Sequence, residues 1–148
     1  EEEQLEILEE ELAKVVSEGD KLTKKISAKN REIEKLNQDI DINKDVLLQV
    51  RNNVAKERSK INAMPASTPG ETKKASEKEL KKQEKQIDQI TKSIDKSTTE
   101  ILELQADVRD MQYELDKVKD NEKYALEKVM QQREIVNEIK NQVHDLKD

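Results

Sequence analysis

Apolar residues recur along this chain at alternating spacings of three and four residues, in two long tracts. The first tract has eighteen such positions, fourteen of them aliphatic, and the second has twenty, sixteen of them apolar. A strict seven-residue repeat of this length predicts α-helices that supercoil left-handedly around a partner helix, because the stripe would drift around a single straight helix. Both tracts are therefore predicted to bury one stripe against another helix.

The repeat positions are called the seam below. In the first tract the seam comprises Leu5, Leu8, Leu12, Val15, Gly19, Leu22, Ile26, Lys29, Ile33, Leu36, Ile40, Asn43, Leu47, Val50, Val54, Glu57, Ile61 and Met64. In the second tract it comprises Leu80, Gln83, Ile87, Ile90, Ile94, Ser97, Ile101, Leu104, Val108, Met111, Leu115, Val118, Glu122, Ala125, Val129, Gln132, Val136, Ile139, Val143 and Leu146.

A segment with two prolines and a glycine separates the tracts. Met64 and Leu80 lie sixteen residues apart, where an unbroken repeat would need eighteen. Pro65 removes a backbone donor and disfavours the helical turn before it, so we expect the first helix to end there. The predicted organisation is a first coiled-coil helix, a tip that holds a loop and a helix restart, and a second coiled-coil helix, at residues 1–64, 65–79 and 80–148.

Two places in the tip have the residue pattern of a helix N-terminus. Thr68 is a predicted N-cap, with Pro69 at the first helical position and Glu71 closing a capping box. Ser76 followed by Glu79 is a competing start. The second helix is expected to resume at one of these two places.

Two tracts of similar length joined by a short Pro/Gly segment favour a chain that folds back on itself. The predicted fold class is all-α, a long coiled coil in the form of an antiparallel helical hairpin, with arms of roughly 90 to 100 Å. A parallel homodimer with a defect midway is the alternative, because Ile or Val at one seam position and Leu at the other is common in such dimers.

Polar seam residues are the candidates that set the register, and they are Gly19, Lys29, Asn43, Glu122 and Gln132. The preferred register places Lys29 opposite Glu122 and Gly19 opposite Gln132, makes the helix ends flush and moves Gln83 into the tip. A second register would place Lys29 and Glu122 each opposite a leucine, which desolvates both charges without a partner. A seam asparagine often fixes the register of a parallel dimer by pairing with its copy, so Asn43 favours the parallel homodimer over the hairpin.

The composition excludes several classes of function. Charged residues make up 42% of the chain, aromatic residues 1%, and cysteine is absent. Catalysis needs convergent groups in a concave site, and the surface of a two-stranded coil is convex, so we predict no enzyme, no cofactor and no metal site. The one histidine, His144, is expected on the exposed flank. The absence of cysteine, of a signal peptide and of a long apolar run indicates an intracellular protein, in cytoplasm or nucleus, without membrane insertion.

Charge is uneven along the chain. Residues 56–86 carry nine Lys and Arg against five Glu, although the whole chain has a net charge of −6. This excess could attract nucleic acid or another acidic polymer, and we call its main candidates the basic tip: Lys73, Lys74, Lys78, Lys81 and Lys82. Acidic residues are interleaved and no aromatic residue stands beside them. Ser67 and Thr68, next to Pro69, are candidate phosphate acceptors.

Three apolar or aromatic residues outside the seam recur at intervals of eleven residues: Leu102, Tyr113 and Tyr124. Their heptad positions point outward, so they are the candidate partner-binding residues for another coiled-coil or helical protein, or for a second copy of the chain.

These features together predict a structural or interaction module, a stiff spacer or scaffold arm that is a segment of a longer protein. The general design resembles an arm of the long coiled-coil ATPases of the SMC type, or part of a cytoskeletal, kinetochore or trafficking tether. A P-loop and a Cys-x-x-Cys hook are not in the sequence. The alternatives are an arm that binds nucleic acid through the basic tip, and a parallel homodimeric tether.

Overall fold

A computed structural model describes the backbone of residues 1–147 and the side chains of residues 1–146. Asp148, the end of the predicted second helix, lies outside the described residues. Within this part of the chain the regular elements are two α-helices, α1 (Glu2–Asn62) and α2 (Gly70–Lys147). The predicted all-α class is confirmed.

The chain divides into two units, and each contains a segment of both helices. The first unit comprises Glu1–Asn30 and Ala106–Asp148, and the second comprises Arg31–Gln105. In the first unit the buried apolar residues are Leu115, Val129 and Val136. In the second unit they are Ile40, Val54 and Ile101.

The seam is the buried stripe of both helices. Every seam position from Leu5 to Met64 and from Leu80 to Val136 is buried or half-buried, and Val129 is completely buried. Two-stranded packing explains why most of these residues are only half covered, since each helix has one neighbour. The apolar spacing in the sequence therefore gives the packing face of both helices.

The two helices pack antiparallel, as in a hairpin. In the first unit Glu9 of α1 pairs with Arg133 of α2, whereas Lys29, further along α1, pairs with Asp107, an earlier residue of α2. In the second unit Arg58, near the end of α1, pairs with Glu84, near the start of α2. Hairpin packing within one chain is thereby supported, as the two near-equal tracts predicted.

The predicted register is wrong by two heptads. Gly19 lies against Leu115 and Val118, and Val118 precedes the predicted partner Gln132 by two repeats. Lys29 reaches Asp107 instead of Glu122. The second predicted register differs from the preferred one by one heptad. It differs from the observed register by one heptad as well, so it is also wrong.

The short loop explains the error. α1 ends at Asn62 and α2 begins at Gly70, so the connection is residues 63–69 and not the longer tip that the sequence suggested. A short loop brings the first turns of α2 directly against the last turns of α1. Gln83 is consequently half-buried on the seam. The flush register had placed Gln83 in the tip, and that expectation is wrong.

Backbone hydrogen bonds locate the restart of the helix one residue after the first of the two predicted starts. The carbonyl of Pro69 accepts the N–H of Lys73 at 3.2 Å, which gives Pro69, and not Thr68, the N-cap position. The N–H of Thr68 instead donates to the carbonyl of Pro65 at 3.0 Å and closes a turn in the loop. Ser76, the competing start, already lies inside α2.

Candidate interaction surfaces

Lys29 occupies the seam without a seam partner of opposite charge. Its Nζ lies 3.6 Å from Oδ2 of Asp107, and its side chain is 28% exposed. The aliphatic part of the side chain therefore lies along the seam while the ammonium group reaches the flank, where water and a carboxylate solvate it. Glu122, the predicted partner, is half-buried elsewhere on the seam.

Gly19 lies at a close contact between the helices. The residue is buried, and a Cβ built on it would lie 3.5 Å from Val118 Cγ1 and 3.9 Å from Leu115 Cδ1. The hydroxyl of Thr23 donates to the Gly19 carbonyl at 2.9 Å, so this carbonyl accepts a hydrogen bond from a side chain within its own helix. Both distances are ordinary van der Waals contacts, so the space between Gly19 and these two side chains would hold a methyl group.

Seam amides behave differently in the two units. In the first unit Gln132 is 8% exposed, and its Nε2 donates to the backbone carbonyl and to the carboxylate of Glu1. In the second unit Oε1 of Gln83 is buried and accepts no hydrogen bond from any described residue. Asn43 is half-buried on the seam of α1. The register candidates thus occupy the seam, but none pairs as the sequence analysis proposed.

Ion pairs on one flank of the seam match the observed register, and sequence reasoning missed them. Arg58 Nη2 lies 2.6 Å from Glu84 Oε1, Arg133 Nη2 lies 3.2 Å from Glu9 Oε1, and Lys140 Nζ lies 3.4 Å from Glu2 Oε1. All six residues occupy the position that follows the second seam residue of each heptad. Opposite charges at these flank positions are the sequence signal that distinguishes this register from the flush one.

The candidate partner-binding residues are all exposed. Leu102 in the second unit is 61% exposed, and Tyr113 and Tyr124 in the first unit are 63% and 60% exposed. Lys117 Nζ and Lys128 Nζ each lie 4.5 Å from the centre of the tyrosine ring that precedes them by one helical turn. Each tyrosine therefore presents one ring face to a lysine of its own helix.

The basic tip lies on the exposed side of α2 in the second unit. All five of its lysines are exposed. Three of them, Lys78, Lys81 and Lys82, line one shallow depression together with Lys85. Spacings of three and four residues place these four side chains on one helix face, so their positive charges act on the same region of solvent.

The described residues show neither a metal-binding cluster nor a membrane-spanning helix. Among them no group of three or more His, Cys, Asp or Glu is arranged to hold a metal ion. Neither helix, over its described length, is long and apolar enough to cross a bilayer. His144 is exposed, at the end of α2.

The last three seam residues differ from all the others because they are exposed. Ile139 is 40% exposed, Val143 is 46% exposed and Leu146 is 88% exposed, whereas Val136, one turn earlier, is 6% exposed. In the observed register α1 begins beside Val136, since Glu1 contacts Gln132 and Glu2 contacts Lys140. The flush register had assigned these residues partners on α1, and that expectation is wrong.

Comparison with known protein families, with curated proteins and with solved structures found no match to this chain.

Proposed function

We propose that this chain is a non-enzymatic coiled-coil hairpin that acts as a stiff spacer or scaffold arm within a longer protein. The observation that carries the proposal is the continuous burial of the seam, from Leu5 to Met64 and from Leu80 to Val136. A helix that packs along its whole length against another is stiffer than an isolated helix, because bending it requires the packed side chains to separate. A parallel homodimeric tether is less well supported, since α1 and α2 of one chain already cover each other's seam.

Stiffness is best tested inside one unit. Spin labels at Lys35 and Lys56, two exposed positions of α1 in the second unit, are twenty-one residues apart. A helix rise of about 1.5 Å per residue gives a separation of about 32 Å between the two Cα atoms. We expect a single narrow distance distribution that does not change with protein concentration. A broad distribution would contradict a spacer role.

Two isoleucines close together on α1 give a matched pair of variants for this measurement. Ile40 is 8% exposed on the seam, and Ile42 is 61% exposed outside it. Ile40→Asp places a charge in the packed stripe, so it should broaden the distance distribution and lower the unfolding temperature by several degrees. Ile42→Asp should change neither quantity. Equal effects of the two substitutions would show that the seam does not hold this segment.

The same proposal includes docking of protein partners through the flank. The supporting observation is the exposure of Leu102 at 61%, Tyr113 at 63% and Tyr124 at 60%. Aromatic side chains contribute large contact area at low entropic cost, which suits them to such surfaces. Cross-linking in cells from a photoreactive residue at position 120, which is exposed and lies between the two tyrosines in the sequence, should recover a helical partner. Tyr113→Ala with Tyr124→Ala in the same chain should weaken that recovery. Recovery that is independent of both tyrosines would sink this assignment.

A second candidate function is binding of nucleic acid or another acidic polymer through the basic tip. The observation that favours it is the shared depression of Lys78, Lys81, Lys82 and Lys85. Contacts of lysines with phosphates release counterions, so the affinity for a DNA duplex of about 20 base pairs should fall steeply as salt rises. Weak binding that does not depend on salt, or no binding, would exclude it.

A control for bulk charge is available elsewhere on the chain. Replacement of Lys73, Lys74, Lys81 and Lys82 by Gln should abolish binding of the duplex to a basic tip. The matched variant removes four exposed lysines far from it in the sequence: Lys14, Lys21, Lys117 and Lys123. Equal losses from the two variants would mean that only net charge matters.

A further inference from the structure

The loop between the two helices, residues 63–69, holds two hydroxyl groups that no helix constrains. The chain has thirteen Ser and Thr residues, and eleven of them lie within α1 or α2. The other two are Ser67 and Thr68, in the loop. A protein kinase binds the residues around its acceptor as an extended segment, so an acceptor inside a helix must first unfold locally. The structure therefore leaves these two hydroxyls as the accessible acceptors for phosphate.

The residue that follows distinguishes Thr68 from Ser67. The chain has two prolines, Pro65 and Pro69, and Thr68 is the one Ser or Thr that directly precedes a proline. Proline disfavours a helical conformation of the residue before it and favours an extended one. That is the conformation in which the cleft of a proline-directed kinase holds its acceptor. Thr68 therefore has both the sequence and the backbone preference of such an acceptor.

The surroundings of Thr68 are open to solvent. Residues 65–67 and Pro69 are exposed, and Thr68 itself is half-buried. Its backbone N–H donates to the carbonyl of Pro65 at 3.0 Å. Binding of this segment by a kinase would break that turn, but it would leave the hydrogen bonds within both helices intact.

The hydrogen bonds at the start of α2 place Thr68 beside a lysine. The carbonyl of Pro69 accepts the N–H of Thr72 at 3.1 Å and that of Lys73 at 3.2 Å, so Pro69 is the N-cap residue. Thr68 therefore precedes the N-cap, and Lys73 is the fourth helical residue. Side chains at these two positions lie next to each other at the start of a helix. Lys73 is exposed, so its ammonium group can turn toward a phosphate on Thr68.

We propose that Thr68 is a phosphorylation site, and that its phosphate pairs with Lys73 and stabilises the first turns of α2. Oγ1 of Thr68 attacks the γ-phosphorus of ATP, and the bond from that phosphorus to the β–γ bridging oxygen breaks. The hydroxyl proton passes through a base of the kinase to water, and ADP leaves. This site stands apart from the proposed spacer and duplex-binding functions, since the modification requires neither of them.

The charges around the loop favour this pairing. Residues 63–76 contain Lys73 and Lys74 against Glu71, so the segment is positive before it is modified. A phosphate adds about two negative charges, which are stabilised by lysine and by the positive end of a helix dipole. The phosphate therefore interacts with two favourable partners and one unfavourable one.

Modification of the full chain by a proline-directed kinase with ATP tests the site, with mass spectrometry to locate the phosphate. We expect one phosphate per chain, on Thr68, and none in the Thr68→Val variant. Thr68→Ser should accept the phosphate, and Ser67→Ala should leave the modification of Thr68 unchanged. A synthetic peptide of residues 60–76 is the control for recognition of the sequence without the fold.

Hydrogen exchange of backbone amides tests the pairing. The phosphate should slow exchange at residues 72–76 about threefold, because a negative charge at the helix start opposes fraying. Exchange at residues 94–101, further along α2, should not change. Lys73→Gln should reduce the slowing to less than about twofold. Lys78→Gln is the matched control, an exposed lysine beyond the first turns, and should retain the full effect.

Three results would overturn the proposal. The first is the absence of phosphate on the full chain. If the peptide is modified in that case, the loop is closed to the kinase, and if it is not, the sequence is not recognised. The second is equal modification of the Thr68→Val variant, which would place the site elsewhere. The third is a phosphate on Thr68 that leaves exchange at residues 72–76 unchanged or accelerates it, because it would then not pair with Lys73.

Discussion

Gly19 of α1 packs directly against Val118 of α2, and a methyl group on Gly19 would lie 3.5 Å from Val118 Cγ1. That separation is an ordinary van der Waals contact, and the glycine has no positive φ that a side chain would strain. Gly19→Ala should therefore fill the contact without moving Val118. A glycine inside a helix costs about 1 kcal/mol relative to alanine. We expect Gly19→Ala to raise the free energy of unfolding by about this amount.

Urea unfolding followed by circular dichroism measures the change. Gly70→Ala is the matched control, because a Cβ there meets nothing within 4 Å and the residue is the first of α2. Its gain should be smaller, a few tenths of a kcal/mol, since the helix interior contributes most of the glycine penalty. A loss of stability in Gly19→Ala would show that the helices are closer at this point than described.

Lys29 should be a source of instability on the seam. Its ammonium group reaches Asp107 at 3.6 Å on a flank where Asp107 is 55% exposed, and exposed ion pairs contribute about 0 to 1 kcal/mol. Lys29→Met keeps an unbranched side chain of similar length but removes the charge, so the whole side chain can lie in the apolar stripe. We expect the free energy of unfolding to rise by about 1 kcal/mol. Asp107→Asn should cost less than about 1 kcal/mol. Strong destabilisation by Lys29→Met would contradict this description.

Gln83 places a buried oxygen on the seam without a hydrogen-bond donor among the described residues. A buried polar group left unpaired costs about 1 to 3 kcal/mol, so Gln83→Leu should stabilise the chain by about 1 to 2 kcal/mol. Gln89→Leu, an exposed position on the same helix, is the matched control and should have little effect. Chemical unfolding of both variants gives the comparison. Similar gains from the two would mean that leucine acts through helix propensity alone.

Two valines on α2 distinguish the covered part of the seam from its exposed last residues, Ile139, Val143 and Leu146. Val129 and Val143 occupy the same heptad position, but the first is completely buried and the second is 46% exposed. Val129→Ala should destabilise the chain by about 1 to 2 kcal/mol through lost burial and a cavity. Val143→Ala should change the free energy of unfolding by less than about 0.5 kcal/mol. Equal losses would mean that α1 covers both residues.

The sequence predicted the packing face well, because heptad spacing follows directly from helix geometry. Every seam residue up to Val136 is at least half-buried, and Ile42 and Leu48, both outside the seam, are exposed. The all-α class and the hairpin packing follow from the same pattern and from the break at Pro65. These inferences needed only local periodicity and turn chemistry.

Register could not be deduced from the seam alone, because a shift by whole heptads leaves every seam position on the seam. The predicted register rested on a pairing of Lys29 with Glu122, but each charge can be solvated at the flank without the other. The observed register agrees with the short loop at residues 63–69 and with flank ion pairs such as Glu9 with Arg133. The exposure of Ile139, Val143 and Leu146 goes with that register, so it could not be predicted either.

Cysteine cross-linking tests the antiparallel packing and its register most directly, because the chain has no cysteine of its own. The paired variant Gly19→Cys with Val118→Cys should form an intrachain disulfide rapidly under mild oxidation, and the protein should keep monomer mass. Gly19→Cys with Gln132→Cys, the pair of the flush register, should not. A disulfide in the second pair and not in the first, or disulfides that join two chains, would contradict the fold described for this protein.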